Sequence, residues 1–268
     1  MLIVDTHCHV SLAWYNPVES LLFQMDQNQV QYALLIQMGG QHDNTYQAKC
    51  VARYPDRLAS VVLVDVGRHD APDTLTSLAE QGAVGVRLSA DARSPGDDPL
   101  VIWRRADELG LVVSCSGSID SFSSDDFASL IEELPNLPVI IEHLGGVNHR
   151  NSPEVPYHRA EKVFSLSRYA NTAIKIHGLG EFAARHMPVT EFPFTKPIPP
   201  FLQMAYEAFG PDRMMWGSDY PPVSFREGYR NALQLTLAQF EDEPTAMVEQ
   251  IFGGTALSFF PSFANRNQ

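Results

Sequence analysis

Apolar residues along this chain gather in short runs separated by longer stretches in which they recur every three or four positions. The runs are Leu2–His9, Tyr32–Met38, Leu58–Asp65, Ala83–Ser89, Leu111–Cys115, Leu137–His143, Thr172–Gly178 and Arg213–Asp219. Most are rich in Val, Ile or Leu, as parallel strands covered on both faces are. The stretches between them predict helices over Val18–Gln29, Thr45–Tyr54, Ala71–Gln81, Pro99–Leu109, Asp125–Leu134, Pro156–Ala170, Ile198–Phe209 and Arg226–Phe240. Ser124 can cap a helix start, and Gly82, Gly110 and Gly210 stand just past helix ends.

Eight strand–helix alternations predict an α/β fold, a (β/α)8 TIM barrel, rather than an open doubly wound sheet. The open sheet would call for a glycine-rich turn after the first strand, where Thr6-His7-Cys8-His9 stands instead. The 268 residues suit one barrel, which needs about 250, and no linker divides them, so residues 1–268 are read as a single domain. Two long loops follow strands, Leu144–Pro156 and Leu179–Pro197. The second holds Phe182, Phe192 and Phe194, and reads either as an ordinary surface loop or as a stiff aromatic lid.

Composition narrows the partners. The net charge is −13 with only four lysines, and no basic stripe is present, which argues against nucleic acid. No run approaches the roughly 18 apolar residues of a membrane helix, and the start shows no signal-peptide pattern. Cys8, Cys50 and Cys115 are too few and scattered for a disulfide framework, so the expected setting is cytoplasmic. The expected partner is a small-molecule substrate. Oligomeric state stays open, a homo-oligomer included.

Candidate chemistry begins at Asp5-Thr6-His7-Cys8-His9. Alternation along a strand turns His7 and His9 one way and Cys8 the other. Two imidazoles at the C-terminal end of a barrel strand can bind one metal ion or polarise one substrate group. His143 ends the sixth run, Asp219 ends the eighth, and Lys175 and His177 share one face of the seventh. Singly, each also reads as a satisfied core or capping residue. Trp14 and Tyr15 read as pocket wall or as packing. Cys115 reads as core, and His42, His69, His149, His158 and His186 as surface residues.

Five segments together resemble the amidohydrolase superfamily. They are Asp5-Thr6-His7-Cys8-His9, Gly85-Val86-Arg87-Leu88, Glu142-His143-Leu144-Gly145-Gly146, Ile174-Lys175-Ile176-His177-Gly178-Leu179 and Trp216-Gly217-Ser218-Asp219-Tyr220-Pro221. The likeness is to the amidohydrolase-2 branch, which holds lactonases similar to 2-pyrone-4,6-dicarboxylate lactonase and sugar-lactone hydrolases. It implies a distorted (β/α)8 barrel whose site is formed by His7, His9, His143 and Asp219. These four are the implied ligands of one divalent ion, zinc or manganese, although some lactonases of the branch work without metal. Asp219, His143 and His177 are the implied catalytic residues, and Arg87, Lys175 and Arg150 the implied substrate binders.

The chain departs from the superfamily in two ways. Lys49, Lys162, Lys175 and Lys196 are its only lysines, and none lies on the fourth or fifth strand, so a carboxylated lysine bridging two metals is not expected. His177 stands where the branch commonly has serine. The expected reaction is hydrolysis of a small carboxylated lactone or related ester. The alternatives are metal-dependent non-oxidative decarboxylation and a barrel that binds a ligand without turning it over.

Overall fold

The structure is a computed structural model that describes residues 1–263; the end of the expected domain, 264–268, lies outside the described residues. All eight apolar runs form strands: β1 (Val4–Cys8), β2 (Tyr32–Ile36), β3 (Leu58–Val62), β4 (Gly85–Ser89), β5 (Val112–Ser116), β6 (Val139–Ile141), β7 (Thr172–Ile176) and β8 (Met214–Trp216). Each pairs in parallel with the next, in the order β1 to β8. A bridge between Cys8 and Tyr220 then brings the last strand back to the first. The architecture is the expected (β/α)8 barrel.

The closing seam is irregular. The β1 register shifts between Asp5 and Cys8. Simple alternation would send Asp5 the same way as His7. The bulge instead puts its carboxylate in the seam, where it accepts hydrogen bonds from Ser218 N (2.8 Å), Ser218 Oγ (2.6 Å) and Tyr229 Oη (2.8 Å). Backbone bonds from Asp219 N to His7 O and from His9 N to Tyr220 O, both 2.7 Å, fasten the two site strands together. Gly217 is needed here, because a Cβ at that position would lie 2.6 Å from the His7 Cβ.

Helices cover the strands: α1 (Val18–Gln27), α2 (Thr45–Arg53), α3 (Ala71–Glu80), α4 (Val101–Glu108), α5 (Ile119–Phe122), α6 (Asp125–Glu133), α7 (His158–Phe164), α8 (Phe201–Phe209), α9 (Tyr229–Leu237), α10 (Thr245–Glu249) and α11 (Thr255–Phe259). Ser124 caps α6 as expected, its Oγ accepting from Phe127 N at 3.1 Å. Three expected helices are markedly shorter than their apolar pattern, among them α9, which runs Tyr229–Leu237 rather than from Arg226 to Phe240. Tyr157 is left-handed (φ 65°), so α7 starts after it rather than at Pro156, and its last turn becomes a 3-10 turn at Ser165–Arg168. α8 starts after Pro199-Pro200 rather than at Ile198. The helices read from the sequence stop at Phe240, whereas the chain continues through α10, a π turn at Gln250–Gly254 and α11.

Side-chain parity divides the core. Val4, Leu34, Ile36, Ala59, Val61, Val112, Ile140, Ala173 and Met215 form one buried cluster, joined by Ala256, Phe260 and Phe263 from the C-terminal segment. Their sequence neighbours, such as Leu35, Val113, Ile141, Ile174 and Trp216, join the larger cluster with the helices. The aromatic loop packs rather than gapes: Phe182 and Phe194 are buried, and Phe182 meets Phe201 of α8 edge-on at 5.7 Å.

Candidate active site

Strand parity that fills the lower barrel with Val, Ile and Ala places polar residues inside it higher up. Arg87, Ser114, Glu142, Lys175 and His7 occupy one level, with His9, His143, His177 and Asp219 at the mouth. The His7 ring is the hub. Its centroid lies 4.9 Å from that of His9, 4.8 Å from His143 and 5.1 Å from His177. Asp219 Oδ1 lies 3.5 Å from His9 Nε2 and 3.9 Å from His7 Nε2. The expected quartet is therefore brought together from β1, β6 and β8, and His177 joins it from β7.

His143 arrives by a different route from the others. β6 ends at Ile141, and Glu142 continues its inward parity. His143, Leu144, Gly145 and Gly146 then all have positive φ, at 52°, 51°, 67° and 75°. This left-handed turn carries the His143 ring over the mouth, where it stacks on His177 at 4.2 Å. Non-glycine residues in this region cost free energy and persist only where the surroundings hold them. Asp219 is likewise left-handed, at φ 57°.

Two ion clusters flank the histidines. In the floor cluster, the Glu142 carboxylate accepts from Arg87 NH2 (2.7 Å) and Ser114 Oγ (2.7 Å), and lies 3.8 Å from His7 Nδ1. Lys175 Nζ donates to Ser114 Oγ at 2.7 Å and reaches within 3.5 Å of His7 Nδ1. In the rim cluster, Glu181 accepts from His143 Nδ1 (2.6 Å) and Arg226 NH1 (3.0 Å), and Arg226 NH1 also donates to Asp219 Oδ2 (2.7 Å). Glu227 packs beneath this cluster, 3.8 Å from Arg226, against Gly178 and Gly180.

These neighbours set the charges. Burial alone would raise the Glu142 carboxyl, but Arg87 and Lys175 pull it down to about 2. Burial lowers Lys175 to about 8 against the attraction of Glu142. Burial would also lower His143, yet the Glu181 carboxylate outweighs it and lifts the imidazole to about 9. His7 is pushed well below the usual histidine range by burial and by Lys175, and burial takes His177 to about 4. Burial works to raise Asp219 as well, but the His9 hydrogen bond and the charges of His143, His177 and Arg226 hold it well below the usual carboxylate range. Glu227, lacking a hydrogen-bonded cation, is raised by burial to about 7.

The donor set fits a metal ion. His9 Nδ1 donates to Ile36 O and His177 Nδ1 to Gly217 O, while His143 Nδ1 is held by Glu181. Ligating histidines are oriented in this way, through the nitrogen that does not bind. His7 Nε2 and His177 Nε2 are buried without a hydrogen-bond partner. Among the described residues, His7, His9 and Asp219 form one group of atoms within 4.8 Å of each other, and His7, His143 and His177 form another. Ligands of tetrahedral zinc stand about 3.3 Å apart, close to the Asp219–His9 and Asp219–His7 separations. No such group contains all four expected ligands: His143 falls with His7 and His177, and in a third group with Glu181 and Asp219.

The substrate-binding candidates are less free than their sequence positions suggest. Arg87 gives its fork to Glu142 and its NH1 to Gln37 O (3.1 Å), with 13% of the side chain exposed. It still lines a cavity of about 410 Å³ with Gly39, Gly40, Asp65, Ser89 and Ser116. Lys175 is fully buried at the floor and does not reach the mouth. Arg150 is exposed, on the rim of a cavity of about 290 Å³ whose wall includes Glu181. Tyr15 stacks on His9 at 5.5 Å, whereas Trp14 is 73% exposed. His42, His69, His149, His158 and His186 are all exposed, and Cys115 is core.

A histidine–carboxylate cluster at the C-terminal mouth of a (β/α)8 barrel defines an enzyme-type site. The amidohydrolase family profile matches residues 4–261, and the chain belongs to that family. No curated protein sequence matches it. Solved structures of similar fold include a probable 2-pyrone-4,6-dicarboxylic acid hydrolase of Acinetobacter baumannii with bound citric acid (21% identity, 97% of this chain and 100% of that one, TM-score 0.73). An amidohydrolase of Burkholderia multivorans with bound zinc is 18% identical over 97% of this chain and 99% of its own, at TM-score 0.78. The 5-carboxyvanillate decarboxylase of Sphingomonas paucimobilis is 16% identical over 97% and 99%, at TM-score 0.64. At such identities the likeness to these three is one of fold.

Proposed function

We propose that this chain, as one catalytic domain, hydrolyses a small lactone or related ester bearing carboxylate groups. The observation that carries the reading is the opposed pair Asp219 and His143. One is held as an anion and the other as a cation, joined through Arg226 and Glu181. Environments that drive two titratable groups apart are how acid and base roles are assigned in one site. Asp219 Oδ2 is occupied by Arg226, which leaves Oδ1 to take a proton from water. His143, kept protonated by Glu181, donates toward the oxygen on which negative charge develops.

His7, His9 and Asp219 would hold a divalent ion, zinc or manganese, with His143 beside them. When bound, such an ion would supply Lewis acidity toward the carbonyl. Arg87 and Arg150 border the two cavities that flank the cluster, and are the proposed contacts for substrate carboxylates. Lys175 supports from the floor through Ser114. Three free, buried cysteines accord with a reducing, cytoplasmic setting. No helix among the described residues is long and apolar enough to cross a membrane.

The test is a panel of lactones and carboxylic acids, assayed for acid release and for CO2 with and without chelator. Lactone opening that Asp219→Asn abolishes supports the reading. CO2 release without lactone opening would replace it with decarboxylation, and binding without turnover would make the barrel a ligand-binding one.

A further inference from the structure

Four polar atoms behind the rim cluster lack a side-chain partner, and they belong to two neighbouring residues. Arg226 engages only its NH1, with Asp219 Oδ2 and Glu181 Oε1. Its Nε and NH2 are buried without a hydrogen-bonded side chain among the described residues. So are both carboxyl oxygens of Glu227, whose side chain is fully buried. Arg226 Nε and Glu227 Oε2 stand 3.8 Å apart, which is about 1 Å beyond a good hydrogen bond.

The space around Glu227 is shaped for its carboxyl group. A Cβ at Gly178 or at Gly180 would collide with one of the two oxygens, so these positions call for glycine. The Gly180 amide offsets only part of the burial. A buried carboxyl costs free energy unless a cation or a full set of donors meets it. An arginine grips a carboxylate side-on through two parallel bonds, and Nε with NH2 is the edge that Arg226 leaves unused. The guanidinium therefore has two seats. In the front seat NH1 holds Asp219, and in the back seat Nε and NH2 hold Glu227. Against the burial that raises it, Asp219 is held well below the usual carboxylate range by His9, His143, His177 and Arg226. A carboxylate so far below the working pH is a weak general base. Drawing the guanidinium back lessens that hold, while Glu181 keeps His143 in either seat.

We propose that Glu227 is a positioning residue: its carboxylate draws Arg226 off Asp219 Oδ2, and the general base works with the arginine in the back seat. This rests on the reading of Asp219 as the base. Burial raises Glu227 from 4.5 to about 7. Of the charged groups that face it, Arg226 beside it lowers it, while Glu181 from the segment after β7 and Asp219 beyond β8 raise it. From α9 the apolar Ala232 packs beside Gly178. The ionised share of Glu227 grows as pH rises through about 7, so the front seat fills below that pH and the back seat above it.

The experiment compares the parent with Glu227→Gln, which keeps the shape and removes the charge. NMR follows the Arg226 Nε–H resonance, identified by its loss in Arg226→Lys. In the parent it is expected to shift as pH passes about 7, and in Glu227→Gln to stay in place. On a lactone that the parent opens, Glu227→Gln is expected to lower kcat about tenfold with KM unchanged, and to lose the acidic limb of kcat near 7. Glu227→Met, which fills the slot with apolar atoms, is expected to lose kcat equally and to melt no lower than the parent. Activity that merely follows the folded fraction in both variants would overturn the proposal. So would an Nε–H resonance indifferent to pH and to the Glu227 substitutions. A resonance that shifts in a protein opening no lactone would keep the two seats and overturn the proposed reaction instead.

Discussion

The two ends of the barrel are built from the same strands and do opposite work. At the N-terminal end, Val4, Ala59, Val112, Ala173 and Met215 meet Phe260 and Phe263, and the interior is apolar. One or two inward positions further along the same strands stand Arg87, Ser114, Glu142, Lys175 and His177. The first end gains stability from burial and dispersion. The second spends it on desolvated charges, left-handed residues and unpartnered imidazoles. Stability and reactivity are therefore separated along the barrel axis, so substitutions at the two ends should have separable effects.

The largest expected effect belongs to Asp219→Asn. Loss of the base should lower kcat/KM about 10²–10⁴-fold, with only a modest fall in melting temperature, because the isosteric amide keeps the packing and Arg226 keeps Glu181 as an ion-pair partner. A large fall in melting temperature with modest loss of activity would break the proposed division. Phe260→Ala is the mirror experiment. It should cost about 3–5 kcal/mol of stability in urea unfolding, while the folded fraction keeps its kcat/KM.

The pH dependence sharpens the comparison. His143 is raised from 6.5 to about 9, so its contribution is complete below pH 6.5 and lost as pH rises through about 9. Glu142 is lowered from 4.5 to about 2, so its contribution is complete above pH 4.5 and lost as pH falls through about 2. These two groups favour greatest stability between those inner limits, measurable by melting across a pH series. Glu181→Gln removes the carboxylate that holds the His143 proton. The alkaline limb of activity should move from near 9 toward 6.5, a loss of about tenfold or more at pH 8. A limb that stays in place would show that another group titrates there. The smallest effect is expected for Arg150→Ala, which is exposed and rim-placed: about threefold in KM and none in kcat.

Much of the barrel could be read from the chain because its signals are local. All eight apolar runs became strands, and the parity that turned His7 and His9 together and Cys8 away holds in three dimensions. Glu142 was legible by the same rule, being two residues beyond Ile140 on one face, but the neighbouring histidine drew attention from it. Glu181, Arg226 and Glu227 carried no comparable signal. Each lies in a loop or turn, and each acquires meaning only through a partner on another element, as Glu181 does across 38 positions to His143 and 45 to Arg226. The C-terminal plug went unread because its helices are short and broken by a π turn.

By itself the sequence determined the strand order, the inward faces and the residue types at the barrel mouth, since these follow from periodicity and from side chains alternating on a pleated backbone. The tertiary structure alone decided which charges meet. The bulge moved Asp5 from the site into the seam, and the left-handed turn brought His143 over His177. Arg87 proved committed to Glu142, and Asp219 to Arg226. Electrostatic character depends on distance and burial across elements far apart in the chain, and no local pattern specifies those.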